Sequence, residues 1–134
     1  MIGIIDYGMG NIGSIENMLK RINTNSIITS NIDTLNKCNK LILPGVGAFD
    51  QGMKSLNDMG LISYLNNFAI KQNKPILGIC LGMQLFANSS EEGSLPGLGW
   101  IKGKAKKFVF SDYDIKVPHM GWNTIETKNS ILFD

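Results

Sequence analysis

The sequence predicts an α/β fold: a mainly parallel sheet flanked by helices on both faces, with an antiparallel elaboration after residue 95. Two observations carry this expectation. Short β-branched runs alternate with segments whose apolar residues recur at helical spacing, and glycines or prolines mark the junctions between them. A third observation sets the limit of the pattern, because beyond Asn88 the alternation gives way to Gly93, Pro96, Gly97, Gly99 and Gly103.

Ile2 to Ile5 reads as a first strand, followed by glycines and then by Ile12, Ile15, Met18, Leu19 and Ile22 on one helical face. Ser26-Ile27-Ile28-Thr29 reads as a second strand, and a weakly periodic segment around Leu35 leads to a third at Leu41-Ile42-Leu43. Pro44, Gly45, Gly47 and Gly52 suggest an extended loop, after which Leu61, Ile62, Leu65, Phe68 and Ala69 build a helix face that ends near Asn73. Pro75 opens a fourth strand through Ile79, with Cys80 at its end and a helix expected from Leu81 through Ala87. Lys106 to Phe110 and Ile115 to Val117 read as strands of the antiparallel part. No repeat, linker or low-complexity tract interrupts the chain, so residues 1–134 are expected to form a single domain.

Composition narrows the function classes. A 43% hydrophobic content suits one core, while 18% charged residues and a net charge of +2 leave no electrostatic footprint for nucleic acid or an anionic membrane. The apolar runs fall far short of the ~20 residues of a spanning helix. Met1 leads into Ile2 without a basic n-region, so a cytoplasmic location is expected. With two cysteines, Cys38 and Cys80, and one histidine, His119, neither a Cys/His zinc cluster nor a disulfide is expected. No metal or cofactor is implied.

The chemistry is concentrated at Gly78-Ile79-Cys80-Leu81-Gly82, which has the glycine-x-nucleophile-x-glycine spacing of a strand-to-helix elbow. Side chains at the flanking positions would collide with the neighbouring strand and helix, and a helix start below Cys80 would favour its thiolate. The Leu81 N–H would face a developing oxyanion, and the Val46-Gly47 peptide is a candidate second donor, because parallel neighbours end on one sheet edge. A buried structural thiol is the alternative this spacing leaves open. That alternative is assigned to Cys38, which lies in a polar segment without glycines.

Three motifs in order, Ile5-Asp6-Tyr7-Gly8-Met9-Gly10-Asn11, Leu43-Pro44-Gly45-Val46-Gly47-Ala48-Phe49 and Gly78-Ile79-Cys80-Leu81-Gly82-Met83-Gln84, resemble the class I glutamine amidotransferases, and most of all the glutaminase subunits of imidazole glycerol phosphate synthase. Glu91-Glu92-Gly93, Gly97-Leu98-Gly99-Trp100 and Val117-Pro118-His119-Met120-Gly121-Trp122-Asn123 extend the resemblance over essentially the whole chain. The resemblance implies a flavodoxin-like fold and a Cys80 that attacks the side-chain amide of glutamine, passing through a glutamyl thioester to glutamate and ammonia. It implies that Gln84 and Glu92 hold the backbone groups of glutamine. Ammonia would pass to a (β/α)8 barrel synthase subunit, which Asn11 and Trp122 would face.

The chain departs from the family's pattern in lacking the His-Pro-Glu segment that carries the base and its glutamate partner near the family's C-terminus. The expectations are an incomplete domain, little or no glutaminase turnover from the chain alone, and exposed sheet edges that leave it marginal or self-associating. A rival reading makes His119 the base. Other readings stand beside the main one: a relative that amidates cell-surface sugars, a silent protein that docks on a barrel partner, and a dinucleotide-binding module. The last rests on Gly8-x-Gly10-x-x-Gly13 after the first strand, with Asp33 about 20 residues on.

Overall fold

The structure, a computed structural model, describes residues 1–110 and 120–127. Four strands, β1 (Ile2–Ile5), β2 (Ser26–Thr29), β3 (Lys40–Leu43) and β4 (Ile76–Gly78), form a parallel sheet in the order β2-β1-β3-β4. Ile4 of β1 stands opposite Ile28 and Ile42, and Ile42 opposite Leu77, so one register runs across all four strands. All four C-terminal ends therefore lie along one edge of the sheet. Chain order reverses direction between β1 and β3, and crevices at such reversals are where parallel sheets bind ligands.

Alternation along the strands sends residues to two cores. Ile4 and Ile42 pack with Leu19, Ile12 and Ile15 of α1 (Ile12–Arg21). Asn11 caps this helix by accepting from the Ser14 N–H at 3.3 Å, while Lys20 and Arg21 occupy its last turn and Lys20 pairs with Glu16 at 2.7 Å. Ile5, Leu41 and Leu43 point to the opposite, larger core. That core is closed by α2 (Ile32–Leu35), α3 (Phe49–Asp58), α4 (Leu61–Asn66) and α5 (Leu81–Gln84). A Cβ on Gly3 would sit 2.8 Å from Leu41 Cδ2 and 3.1 Å from Cys38 Sγ, so β1 reaches this core only because residue 3 lacks a side chain. Helices thus cover both faces, as the alternating pattern predicts.

Four local expectations need correction. Gly52 does not mark a loop but lies inside α3, where its bare Cα lets Leu81 and Leu85 approach to within 3.4 Å of where a Cβ would be. The helix expected over Leu81–Ala87 is a single turn, because Ala87 already begins β5 (Ala87–Ser90). Lys106–Phe110 is not a strand. The strand is β6 (Ile101–Ala105), including Gly103, whose missing side chain would meet nothing.

β6 also pairs with β5 in parallel, not antiparallel as expected. A tight hairpin would reverse the chain, whereas the Glu91–Trp100 connection folds back along β5, bonding Leu98 N–H to Leu85 C=O and Gly99 N–H to Ala87 C=O, and delivers Ile101 beside Phe86. The Ile115 to Val117 expectation and His119 lie outside the described residues.

On the α1 side, no helix among the described residues covers β4. Leu77 and Ile79 are 45% and 37% exposed there, beside a buried Ile42. Among the described residues, no helix is long and apolar enough to cross a membrane.

Phe49 starts α3 and is fully buried in the larger core. Phe49→Ala is expected to lower the free energy of unfolding by about 3–5 kcal/mol in urea titrations, the cost of a vacated aromatic site.

Candidate active site

The two cysteines separate as their sequence contexts suggest. Cys38 is buried, packed under Gly3 with its thiol 3.7 Å from the Thr34 carbonyl, and burial pushes its pKa up. Cys80 is exposed at the C-terminal edge of the sheet, two residues after β4.

Cys80 adopts φ 55 and ψ −117, a backbone conformation that non-glycine residues avoid. Packing around it holds the strain. Ile79 N–H bonds the Leu43 carbonyl at 3.0 Å, Gly82 N–H bonds the Ile79 carbonyl at 3.0 Å, and Met83 and Gln84 N–H groups both bond the Cys80 carbonyl. A Cβ on Gly78 would lie 2.6 Å from the Met83 Cα, and one on Gly82 would overlap the Leu43 carbonyl oxygen. Both flanking glycines are therefore required by the approach of turn to strand and helix.

The loop after β3 closes on the same turn. A Cβ on Gly45 would be 2.7 Å from Gly82 N and 2.8 Å from Tyr7 Oη. Gly47 has φ +118, which favours glycine, with Met9 Cε 3.0 Å from its would-be Cβ. Among the described residues, the N–H groups of Gly45, Val46, Gly47 and Leu81 have no protein acceptor. An exposed thiol on a turn that packs against a loop with free amide donors suits attack on a carbonyl.

The remaining sequence-predicted residues are placed as follows. Gln84 closes the single turn of α5 and is half-buried. Glu92 is exposed, with its N–H on the buried Ser90 Oγ at 3.1 Å. Asn11 sits at the start of α1, past the loop where a Cβ on Gly10 would lie 3.1 Å from Gly45 N, and Trp122 is fully exposed.

Gly13 speaks against the dinucleotide fingerprint. The third glycine of that motif serves close helix–strand packing, yet a Cβ there would meet nothing. Asp33 lies in the first turn of α2, away from the end of β2. A crevice of about 440 Å³ lined by Asn66, Ile70, Lys71, Leu98, Gly99 and Trp100 contains none of the residues around Cys80.

Sequence reasoning overlooked two residues. Tyr7, fully buried, donates from its phenol to the Pro44 carbonyl at 2.6 Å. Asp50, in the first turn of α3, accepts from the N–H groups of Ser94 at 2.9 Å and Leu95 at 2.9 Å, and a Cβ on Gly93 would overlap the carboxylate. Asp50 thereby ties the segment after Glu92 to the helix that follows the Pro44 loop. No local signal marks either contact, because the partners lie 37 and 44 residues apart.

Comparison with known proteins adds the following. The pattern of the family described as glutamine amidotransferase class-I matches residues 3–132. The chain is 55% identical over 126 residues to imidazole glycerol phosphate synthase subunit HisH 2 of Methanococcus maripaludis, covering 94% of this chain and 62% of that protein. It is 47% identical over 135 residues to the HisH subunit of Leptospira borgpetersenii, covering 98% of this chain and 66% of the relative. The subunit of the same name from Sulfurimonas denitrificans is 49% identical over 137 residues, at 100% and 66% coverage. The chain thus spans less than two thirds of each of these relatives. A solved structure described as a glutamine amidotransferase superposes with a TM-score of 0.66 at 19% identity, over 84% of this chain and 59% of that one, a likeness of fold.

Two outcomes follow from this geometry. Gly82→Ala is expected to cost at least about 3 kcal/mol in chemical denaturation, since backbone must move to admit the methyl group. The Ser94 and Leu95 N–H groups hold the Asp50 carboxyl below its ordinary 3.8. A depressed folded value means that its stabilisation is fully present above pH 3.8 and is lost as pH falls through the lower folded value. Asp50→Asn should therefore lower Tm at neutral pH, and the gap to the parent chain should close on acidification below that range.

Proposed function

The chain belongs to the class I glutamine amidotransferase family, and from that premise we propose that it supplies the nucleophile and oxyanion donors of a glutaminase serving imidazole glycerol phosphate synthase in histidine biosynthesis. The observation that carries this reading is the exposed Cys80, held at φ 55 in a turn whose Leu81 and Gly82 press on Gly45 of the Pro44 loop.

The Cys80 thiolate attacks the side-chain carbonyl carbon of glutamine, forming a C–S bond and placing negative charge on the amide oxygen. The Leu81 N–H and a donor of the Val46-Gly47 peptide stabilise that charge. The C–N bond breaks as the proton given up by the thiol is returned to the nitrogen by a general acid–base group other than these residues, ammonia leaves, and water cleaves the thioester to glutamate and free thiol. Gln84 and Glu92 hold the α-amino and carboxylate groups of glutamine, the Glu92 carboxylate suiting the ammonium. His119 is assigned no part in the proton transfer.

The partner is a (β/α)8 barrel cyclase subunit in the cytoplasm, which receives the ammonia through a heterodimer contact that includes Asn11 and Trp122. Names of the relatives support this acceptor over cell-surface sugar amidation or a silent docking role.

A glutamine analogue carrying a chloromethyl ketone in place of the carboxamide tests the reading, because the thiolate displaces chloride without a separate base. Mass spectrometry should show a single adduct at Cys80, with a rate that saturates in analogue, slows with added glutamine and vanishes in Cys80→Ala. Labelling that rises linearly with analogue and ignores glutamine would remove the proposal.

A further inference from the structure

We propose that Tyr7 is the positioning residue of the oxyanion loop, its phenol fixing the Pro44 carbonyl so that the N–H groups of Gly45 to Gly47 are presented to Cys80. This rests on the glutaminase reading above. The hydrogen bond is 2.6 Å long and fully buried, and it joins the end of β1 to the end of β3.

Its location gives the bond its meaning. Tyr7 Oη lies 2.8 Å from the would-be Cβ of Gly45, on the side where Gly82 N and Leu81 Cβ also crowd that position. The phenol, the loop and the nucleophile turn therefore meet at one point. A peptide unit is planar, so holding the Pro44 carbonyl sets the direction of the Gly45 N–H on the same unit and the path of the next two. Glycines at 45 and 47 leave that path soft, with φ +118 at Gly47, and a loop of this kind needs an external clamp to keep its donors aimed. The Ser55 hydroxyl bonds the Tyr7 carbonyl and secures the main chain of Tyr7 from α3.

Ionisation does not release the clamp. Burial, followed by the negative charge of Cys80, pushes the Tyr7 phenol above its ordinary range, so it stays a donor while the thiolate forms.

The test compares two reagents on Tyr7→Phe, which removes one oxygen. The glutamine-derived chloromethyl ketone places a carbonyl oxygen in the donor loop, whereas iodoacetamide alkylates the same sulfur without needing it. Tyr7→Phe is expected to lower the maximal rate of inactivation by the ketone roughly tenfold. Its half-saturating concentration and the iodoacetamide rate should each stay within about twofold, because a loss of positioning falls on the chemical step. A second variant with 4-aminophenylalanine at position 7 keeps an N–H donor and should restore the ketone rate. It also decides the matter should Tyr7→Phe fail to give a folded circular dichroism spectrum.

Equal slowing of both reagents, no slowing of either, or a tenfold loss in a folded 4-aminophenylalanine variant overturns the proposal. If the parent chain reacts with iodoacetamide but shows no saturation with the ketone, the glutaminase reading itself fails and this inference falls with it.

Discussion

The site depends on one crowded contact, where the end of β3 meets the turn after β4. Gly82 lies so close to the Leu43 carbonyl that no side chain fits, Gly45 is pressed on Gly82 N, and Ile79 N–H bonds Leu43 C=O at 3.0 Å. Everything distinctive about Cys80 follows from this approach. With the chain held on both sides, residue 80 has to take a positive φ, and the side chain is directed out of the sheet edge into solvent. The same crowding packs the Pro44 loop, whose N–H groups have no acceptor among the described residues, against the turn that carries Cys80.

Parallel pairing makes the contact available. Because β1, β3 and β4 run in the same direction, the loops carrying Tyr7, Pro44 to Gly47 and Cys80 emerge together, although they are dozens of residues apart in the chain. Asp50 extends the arrangement by gathering the Ser94 and Leu95 amides onto the start of α3.

Features with local physical causes could be read from the sequence. The short apolar and β-prone runs at Ile2, Ser26, Leu41 and Ile76 became the four strands, and α1 followed the spacing of Ile12, Ile15 and Leu19. The elbow around Cys80 was legible because its glycines have to sit at fixed distances from the thiol. Features decided by distant partners were not. Gly52 reads as a loop residue until Leu81 and Leu85 are known to press on it, and Gly103 reads as a breaker although its strand position is open to solvent. The parallel pairing of β5 and β6 depends on how Glu91–Trp100 folds back, which no periodicity encodes. Tyr7 looked like a motif letter and Asp50 fell in the stretch read as a loop, since their partners are remote.

The shortness of β4 has a consequence for the lifetime of the site. Three residues long and, among the described residues, paired on one side only, β4 has fewer strand partners than β1 or β3. Amide exchange in proteins commonly proceeds through sub-global openings of such peripheral units, at free energies well under that of complete unfolding. Detachment of β4 would relax residue 80 into an ordinary extended backbone while the Phe49 and Leu56 core persisted. The conformation of residue 80 thus depends on how firmly this short strand stays docked, and a ligand that bridged β3 and β4 would act as a splint upon it.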